Sequence, residues 1–380
     1  MPHKIRVKII SKNPIPDFQL FDLPQIYENQ ITWITDIDER NYDWLVVYDD
    51  LPPSGNERLT QNVENLACPS ANTVLLTYEP SSIKFYGTDY VKQYGMVLTS
   101  QDVRSLPHAN RLDCPPIGFW YYGGLEQAAK HAKPPEKTEL ISMFYSAKAQ
   151  KHSLHQRRAV FLSELIDDLS DQISVFGKGY NYVEHKAEGI DAFRYHIAVE
   201  NHIGDHHWTE KLSDAFLGYS LPFYSGCSNA EDYFPKESFI PIDIRDTQAS
   251  LKIIEKAISD GAYEKRLPAI IEARRRVIED YNLGNMLGRR ILESEPSQNQ
   301  KGRKILSRHK MQRRDIPTFL RYAWGKISAR RFNKKYWRTF LKRSFMLKQV
   351  VLRWASFVLA TILLCGAGFS VLAQQVGEGD

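Results

Sequence analysis

Cysteines are scarce in this sequence, and a hydrophobic segment is missing from its start. Only Cys68, Cys114, Cys227 and Cys365 occur among 380 residues, and no two of them have the spacing of a metal-binding or redox pair. The chain begins with Met-Pro-His-Lys-Ile-Arg instead of the apolar run of a secretory signal. These absences argue against a disulfide-stabilised secreted scaffold, and we expect a protein of the reducing cytoplasm.

Acidic residues are nearly missing from the C-terminal part of the chain. Residues 301–380 contain 18 Lys and Arg against 3 Asp and Glu, whereas residues 1–300 contain 32 against 42. The net charge of +5 therefore combines an acidic main part, at −10, with a strongly basic tail, at +15. Such a tail indicates an anionic partner, which is either nucleic acid or a membrane surface.

The first half of the main part alternates short apolar runs with turn residues. Strands are predicted by this pattern at 5–10, 31–34, 44–48, 73–77 and 94–99. Runs such as 44–48 show no polar alternation, which is typical of strands in a parallel sheet that helices cover on both faces. No glycine-rich phosphate loop occurs within residues 5–50. We therefore expect this half not to hold a nucleotide.

A second α/β unit is predicted after residues 130–137, where two prolines among charged residues favour a linker. Its predicted strands and helices lie at 140–145, 156–169, 173–176, 195–199, 210–220, 221–224, 251–258 and 267–281. Thr209 is the expected N-cap of the helix over 210–220. Polar residues gather at the carboxyl end of the strand 195–199, which is the edge where open α/β sheets bind ligands.

An ordered set of short motifs surrounds this edge. It consists of Val-Glu-Asn at 199–201, Thr-Glu-Lys at 209–211, a strand that starts with Leu-Pro at 221–222, and Phe-Pro-Lys-Glu-Ser-Phe-Ile at 234–240. In order and spacing the set resembles the donor-binding signature of the family 10 glycosyltransferases, the α1,3/α1,4-fucosyltransferases. The resemblance covers about residues 73–285 and is strongest over 193–244.

The resemblance implies an α/β fold of the GT-B type, in which two Rossmann-like domains face a cleft. Residues 1–132 would form the acceptor-side domain, and residues 133–295 would form the domain that binds the nucleotide sugar. The activity implied is inverting transfer of fucose, or of a related sugar, from a GDP-sugar to a hydroxyl group of a glycan or lipid-linked glycan, with α1,3-type linkage in surface glycan or lipopolysaccharide synthesis. The resemblance implies no cofactor and no metal.

The resemblance also implies roles for single residues in donor binding. Lys211 and Arg158 match the cations that hold the diphosphate, with Arg157 as the competitor of Arg158, and Glu210 matches the carboxylate that binds the ribose. The other residues expected at the donor are Glu200, Asn201, His207, Gly177 and Lys178. His207 is a departure, because the family usually has tyrosine at this position. Taken singly, each of these residues is also compatible with an ordinary turn or an exposed helix face.

Glu79 is the candidate general base. It stands in Val-Leu-Leu-Thr-Tyr-Glu-Pro at 74–80, at the carboxyl end of a buried strand that Pro80 prevents from continuing. A partly desolvated carboxylate at that edge can take a proton from an acceptor hydroxyl. The family's base is a similar glutamate at a strand end. The alternative is a turn glutamate paired with Lys84.

Two sets of residues could instead bind a metal. His202, His206, His207 and Glu210 lie close together in sequence, but their spacing does not match a helical zinc motif. Asp36-Ile-Asp38 copies the Asp-x-Asp motif of the other large glycosyltransferase fold, but a solvated turn is the better interpretation. We expect metal-independent activity.

The tail has two predicted parts. Residues 296–353 are basic with apolar and aromatic residues near one helical face, and Asp315 is the expected cap of a helix there. Residues 354–373 carry no charge over a length of 20 residues, which is enough to span a bilayer. The alternatives are a buried helical hairpin and a nucleic-acid site; the aromatic stripe favours lipid over nucleic acid.

The positive-inside rule then predicts that the catalytic domains lie on the cytoplasmic face of a membrane with a C-terminal anchor. From the type of enzyme that the resemblance implies, we expect this to be the bacterial inner membrane. Two other functions stay open at this point. One is a transferase that uses another nucleotide sugar. The other is a catalytically silent, membrane-attached protein that binds nucleotide sugars.

Overall fold

The computed structural model describes residues 4–15, 26–55, 59–116, 121–145, 153–295 and 303–331. Within these residues the chain builds two parallel sheets, which confirms the predicted α/β class. Both sheets belong to one compact unit, Met1–Ala329.

The first sheet has six parallel strands in the order β2-β1-β3-β5-β6-β7. Its strands are β1 (Ile5–Ser11), β2 (Ile31–Ile34), β3 (Trp44–Tyr48), β5 (Thr73–Leu76), β6 (Met96–Thr99) and β7 (Arg111–Asp113), and a short β4 (Val63–Asn65) lies outside it. All residues of β3, β5 and β6 are buried. This is the both-sided coverage that their unbroken apolar runs predicted. Helices α1 (Thr88–Val91) and α2 (Gly124–Ala129) complete this part of the chain.

The second sheet has five parallel strands in the order β12-β11-β10-β8-β9. Its strands are β8 (Glu139–Phe144), β9 (Ile173–Phe176), β10 (Phe193–Gly204), β11 (Leu221–Cys227) and β12 (Ile240–Pro241). The helices of this half are α3 (Ser153–Leu169), α4 (Glu210–Leu217), α5 (Thr247–Ser259) and α6 (Ala262–Glu279). Strand β10 is longer than the predicted 195–199, and a register irregularity after Val199 brings Gly204 opposite Cys227.

The helix that follows α6 returns to the first half. In α7 (Leu283–Leu292), the side chains of Leu283, Leu287 and Ile291 share a core with Val7 and Val46 of the first sheet. The predicted second domain covers residues 133–295. A helix within 133–295 therefore contributes to the core of the preceding domain.

The start of the predicted basic tail also packs onto the first half. Strand β13 (Lys304–Leu306) pairs antiparallel with β4, and α8 (Arg308–Gln312) follows it. Ile305 and Met311 are 1% and 4% exposed in the core on the other face of the first sheet. Within the predicted basic amphipathic helical segment 296–353, residues 304–306 thus form a strand and residues 308–312 a short helix.

A C-terminal helix occupies residues 316–331, and the Asp315 carboxylate accepts a hydrogen bond from the Thr318 amide at 2.8 Å, as expected of its cap. Thr318 and Ala329 on one face are buried. None of the helices in the described ranges combines the length and apolarity needed to cross a membrane. The predicted membrane segment 354–373 lies outside the described residues.

Candidate functional site

A cleft of about 250 Å³ lies where the strand ends of the two sheets approach each other. The first half contributes Tyr78, Glu79, Pro80, Ile83, Pro116 and Tyr121, and the second half contributes Glu200, Asn201, His207, Thr209, Glu210 and Lys211. The structure therefore brings together the candidate base and five of the eight candidate donor-binding residues. These residues are up to 132 positions apart in sequence, between Glu79 and Lys211.

The N-terminus of α4 forms one wall of the cleft. Thr209 has extended backbone angles, and its side chain accepts a hydrogen bond from the Lys211 amide, which confirms the predicted N-cap. Leu212 and Phe216 are fully buried and fix the helix on its sheet. Glu210 and Lys211 therefore stand in the first turn, where backbone amides and the helix dipole favour an anion.

Glu200 holds this helix start in place. Its buried carboxylate accepts hydrogen bonds from the Thr209 amide at 2.8 Å and the Thr209 hydroxyl at 2.6 Å. Gly226 of β11 is required beside it, because a Cβ there would clash with the Glu200 side chain. Glu200 lines the cleft as predicted, but its oxygens are already engaged, so the geometry assigns it to positioning Thr209 and Lys211.

Lys211 carries the central positive charge of the cleft. Its Nζ lies 2.7 Å from Glu210 Oε1 and 3.6 Å from Glu200 Oε2. Burial opposes the charged form, but the two carboxylates outweigh it and raise the pKa of Lys211. Burial likewise opposes ionisation of Glu210, yet Lys211 lowers the pKa of Glu210 to about 2. Both groups are therefore charged at neutral pH. An incoming anion can pair with Lys211, and incoming hydroxyl groups can hydrogen-bond to Glu210.

Arg158 lies behind this group of charges rather than in the lining of the cleft. Its Nε donates to the Val199 carbonyl at 3.0 Å, directly before Glu200. Burial lowers its pKa, and the nearby carboxylates of Glu200 and Glu210 oppose that shift. Arg157, its competitor, donates to the carbonyl of Ile244 at 2.7 Å instead. The contacts thus favour Arg158 over Arg157 as the second cation.

Asn201 offers the cleft an acceptor. Its side-chain oxygen is buried, and it accepts no hydrogen bond from any residue that the structure describes. A buried amide oxygen without a partner costs free energy unless a ligand or water satisfies it. This oxygen is therefore available to a ligand.

His207 connects the two halves of the unit. Its Nδ1 lies 3.0 Å from the Ser100 hydroxyl after β6, and His202 Nδ1 lies 3.1 Å from the Ser82 hydroxyl. Burial lowers the pKa of His202 to about 4 and that of His207 well below its ordinary value. Both rings are neutral at pH 7 and act as hydrogen-bonding groups. A neutral imidazole, hydrogen-bonded to a serine from the other half, thus stands where the resemblance implied a tyrosine.

Glu79 lines the cleft from the first half. It faces the cleft from the segment after β5, and burial raises its pKa above the ordinary value. Asp49 raises this pKa further, whereas Lys84 and Lys211 lower it. Lys84 is bound to Asp49 at 2.6 Å, so the alternative pairing of Lys84 with Glu79 is not observed.

Gly177 and Lys178 do not line this cleft. They line a neighbouring cavity of about 550 Å³, together with Phe144, Tyr180, Tyr182 and Lys186. Gly177 has φ 121°, and a Cβ there would clash with the Tyr145 carbonyl, so glycine is required at this turn. Tyr121 lines both spaces. Seven of the eight predicted donor residues are therefore divided between two adjacent cavities, and Arg158 lines neither.

Several residues of the site were missed by sequence reasoning. Tyr78 and Tyr121 line the cleft, and Lys186 binds the buried carboxylate of Asp214 at 2.8 Å beside the second cavity. Tyr78 could have been found, since it adjoins Glu79. No local signal marks Tyr121 or Lys186, because only the fold brings them to the site.

Neither of the two alternative metal sites has a set of three ligands within the described residues. No group of three or more His, Cys, Asp or Glu side chains suited to a metal ion occurs within the part of the chain that the structure describes. Asp36 and Asp38 are exposed, and the Asp36 carboxylate accepts a hydrogen bond from the Asp38 amide at 2.9 Å. The two aspartates therefore lie in a solvent-exposed turn, as predicted.

Comparison with known proteins gives a family match within the second half. Residues 134–259 match the family described as glycosyltransferase family 10 (fucosyltransferase) C-term, which confirms the resemblance found in the motifs. The 4-galactosyl-N-acetylglucosaminide 3-alpha-L-fucosyltransferase 9 proteins of Homo sapiens and Mus musculus are 31% identical over 114 residues. The match spans 29% of this chain and 30% of the length of each relative.

Similar solved structures share less sequence. One is an alpha1,3-fucosyltransferase with GDP-fucose, with a TM-score of 0.45 and 15% identity over 78% of this chain and 93% of that chain. Another is an alpha-glucosyltransferase in complex with UDP-glucose and DNA, with a TM-score of 0.46 and 9% identity over 77% of this chain and all of that chain. Glu79 lies outside the matched residues 134–259, so its role stays a prediction.

Proposed function

We propose that the chain, whose residues 134–259 match glycosyltransferase family 10, transfers fucose from GDP-fucose to a hydroxyl group of a glycan. The observation that supports this most is the shared cleft. It brings a partly desolvated carboxylate from the first half, Glu79, opposite the cationic helix start of the second half, with Lys211. A base that faces an anion-binding helix N-terminus is what transfer from a nucleotide sugar requires.

The reaction follows from these positions. The Glu79 carboxylate takes the proton of the acceptor hydroxyl, and the hydroxyl oxygen forms a bond to the anomeric carbon of fucose. The bond between that carbon and the β-phosphate oxygen breaks, and GDP leaves from the opposite face, so the configuration is inverted. Lys211 and the start of α4 stabilise the charge that develops on the diphosphate, with Arg158 behind them. No step needs a metal ion.

The relatives named above are 3-alpha-L-fucosyltransferases of 4-galactosyl-N-acetylglucosaminides, and we carry over the α1,3-type linkage as part of the proposal. A surface or lipopolysaccharide glycan is the proposed acceptor class. Transfer from another nucleotide sugar remains the competing function, since His207 replaces the tyrosine usual at the donor. A neutral imidazole is smaller than a phenol and would leave room for a differently substituted sugar.

Nucleotide choice can be tested by thermal stabilisation. GDP should raise the melting temperature, with or without a chelator, whereas UDP, CDP and ADP should not, because a ligand that binds the native state stabilises it by mass action. Lys211→Met should weaken GDP binding by about 10- to 150-fold, corresponding to the loss of about 1.5–3 kcal/mol for a charged hydrogen bond.

The exposed Lys252→Met on α5 is the matched control and should bind GDP like the wild type. A shift with UDP alone would keep a transferase but reject GDP-fucose as its donor. A GDP-induced rise in melting temperature that disappears when the chelator is added would reject the metal-independent reaction. No shift with any nucleotide would favour a protein that does not use nucleotide sugars.

We propose that the C-terminal helix also attaches the chain to the cytoplasmic face of a membrane. Its apolar side chains at 316, 319, 320, 324 and 327 follow helical spacing along one face and are 45–75% exposed. The opposite face packs on the protein through Thr318, Tyr322, Gly325 and Ala329. An exposed apolar stripe beside Arg321 and Lys326 suits the boundary of an anionic bilayer, and the uncharged run 354–373 would reinforce the attachment.

Membrane attachment can be measured by flotation with lipid vesicles. A chain that ends after residue 331 should float with vesicles rich in phosphatidylglycerol but not with phosphatidylcholine alone, because both the apolar and the basic side chains contribute. The double variant Leu320→Asp with Trp324→Asp should lose this binding. The control is Ile253→Asp with Ile271→Asp, which places two aspartates on exposed positions of α5 and α6. Equal flotation of both double variants would contradict the proposal.

A further inference from the structure

The backbone of the segment that presents Glu79 is hydrogen-bonded to the side chain of Gln101. After β5 the chain turns at Pro80, whose carbonyl accepts hydrogen bonds from the amides of Ile83 and Lys84, both at 2.9 Å. The buried Gln101, located after β6, donates from Nε2 to the carbonyls of Glu79 at 2.7 Å and Lys84 at 3.0 Å. A single amide group therefore fixes the backbone of Glu79 and Lys84 relative to each other.

Lys84 extends from this fixed point to Asp49. Its Nζ lies 2.6 Å from Asp49 Oδ2, and both side chains are 14% exposed. Asp49 Oδ1 accepts a further hydrogen bond from the Tyr86 hydroxyl at 2.5 Å, and the Tyr86 hydroxyl accepts one from the Tyr78 amide. Asp49 has φ 72°, an uncommon backbone conformation that aspartate tolerates. The ion pair is thus a defined part of the structure next to Glu79, outside the lining of the cleft.

We propose that the Lys84–Asp49 ion pair, which Gln101 fixes beside Glu79, sets the lowest pH at which Glu79 can accept the proton of the sugar acceptor. The proposal rests on the proposed function, in which Glu79 is the base. Lys84 and Asp49 are positioning residues in this account, because they act on the reaction only through Glu79.

The sign of each effect follows from electrostatics. Burial raises the pKa of Glu79 most; Asp49 adds to the rise, and Lys84 opposes it. The titratable side chains of Tyr78, Tyr121 and His207 share the cleft with Glu79. Among the charged groups of the described residues, Lys211 also lowers this pKa and Glu210 also raises it. Both belong to α4 and are unchanged when the ion pair is altered. Loss of Lys84 removes a favourable cation and also leaves Asp49 uncompensated, so both consequences make Glu79 harder to ionise.

The test is the dependence of kcat/KM on pH for fucosyl transfer. The acidic limb of the profile, which reports ionisation of the free enzyme's base, should move to higher pH in Lys84→Met and to lower pH in Asp49→Asn, each by at least about half a pH unit. The double variant should return towards the wild type, because its two changes oppose each other. Lys84→Arg keeps the charge and should leave the limb in place.

A purely structural role for the ion pair predicts a different pattern. Both single variants would then lose stability and kcat, but the acidic limb would stay where it is. Limbs that do not move, or that move in the same direction in both variants, overturn the proposal. Asp49→Asn preserves size and one acceptor oxygen, so it carries the test on its own should Lys84→Met fail to fold.

The outcome is separable from that of the proposed function. If Glu79→Gln keeps normal turnover, Glu79 is not the base and the proposed mechanism fails. If Glu79→Gln is inactive while the limbs stay fixed, only the role of the ion pair is rejected. GDP affinity, measured in parallel, should be the same in the Lys84 and Asp49 variants as in the wild type, because neither residue lines the cleft.

Discussion

Replacing Glu79 by glutamine should lower the turnover of fucosyl transfer by about 10²- to 10⁴-fold, the usual contribution of a general base. The amide keeps the shape of the side chain but cannot take the acceptor's proton. GDP binding should be unchanged, because the diphosphate is expected at Lys211 and the start of α4, on the opposite wall. The measurement pairs steady-state turnover with the GDP dissociation constant.

Glu255→Gln provides the matched control for this experiment. Glu255 is an exposed residue of α5, and the same loss of one negative charge there should change neither quantity. Near-normal turnover of Glu79→Gln would remove Glu79 from the mechanism. Loss of GDP binding together with turnover would mean that Glu79 shapes the donor site instead of acting as a base.

Ending the chain after residue 300 should destabilise the fold severely, whereas ending it after residue 331 should not. The shorter chain loses β13, which pairs with β4, together with the buried side chains of Ile305 and Met311. Removal of a buried Ile or Met side chain costs about 2–5 kcal/mol each, a large part of a typical total of about 5–15 kcal/mol. Thermal unfolding, followed by circular dichroism, compares the two chains.

The position of the cut separates two interpretations of the basic tail. A tail that serves only for attachment would be dispensable from residue 301 onwards, and the two shortened chains would melt at the same temperature. If the chain that ends at 300 melts at a lower temperature than the chain that ends at 331, residues 303–329 are part of the fold. Ile305→Ala in the longer chain should reproduce part of the loss.

The elements of the two parallel sheets were largely predictable, because their strands are short apolar runs buried on both faces. The predicted strands at 31–34, 44–48 and 173–176 have the observed bounds. The cap at Thr209 was also visible in the sequence, since a threonine before an amphipathic helix has a local cause. Local causes of this kind act within one turn or one strand.

The rest depended on contacts between distant parts of the chain. Nothing in the sequence near Leu287 or Ile305 indicates that they pack on the first sheet, since their apolar side chains would suit any core. Lys84 could be paired with Glu79 or with Asp49, and only the tertiary structure places it at Asp49. Ser100 became part of the site through its contact with His207, which is 107 positions away.

The family motifs depend on the order and spacing of several residues and not on any one residue. They identify Glu200, Glu210 and Lys211 as a group, although each residue taken singly has an ordinary structural explanation. The structure adds a division of roles among them, because Glu200 is engaged by Thr209 whereas Lys211 and the oxygen of Asn201 can meet a ligand. Gly177 and Lys178 were correctly placed after β9, but they line the adjacent cavity.

The most direct test of the account is an experimental structure of the protein with GDP-fucose or an unreactive analogue. The account predicts the diphosphate at the start of α4, within hydrogen-bonding distance of Lys211 Nζ, with the anomeric carbon facing the Glu79 side of the cleft. Lys211 should exchange its contact with Glu210 for the phosphate. A nucleotide bound elsewhere, or a sugar that points away from Glu79, would contradict the account.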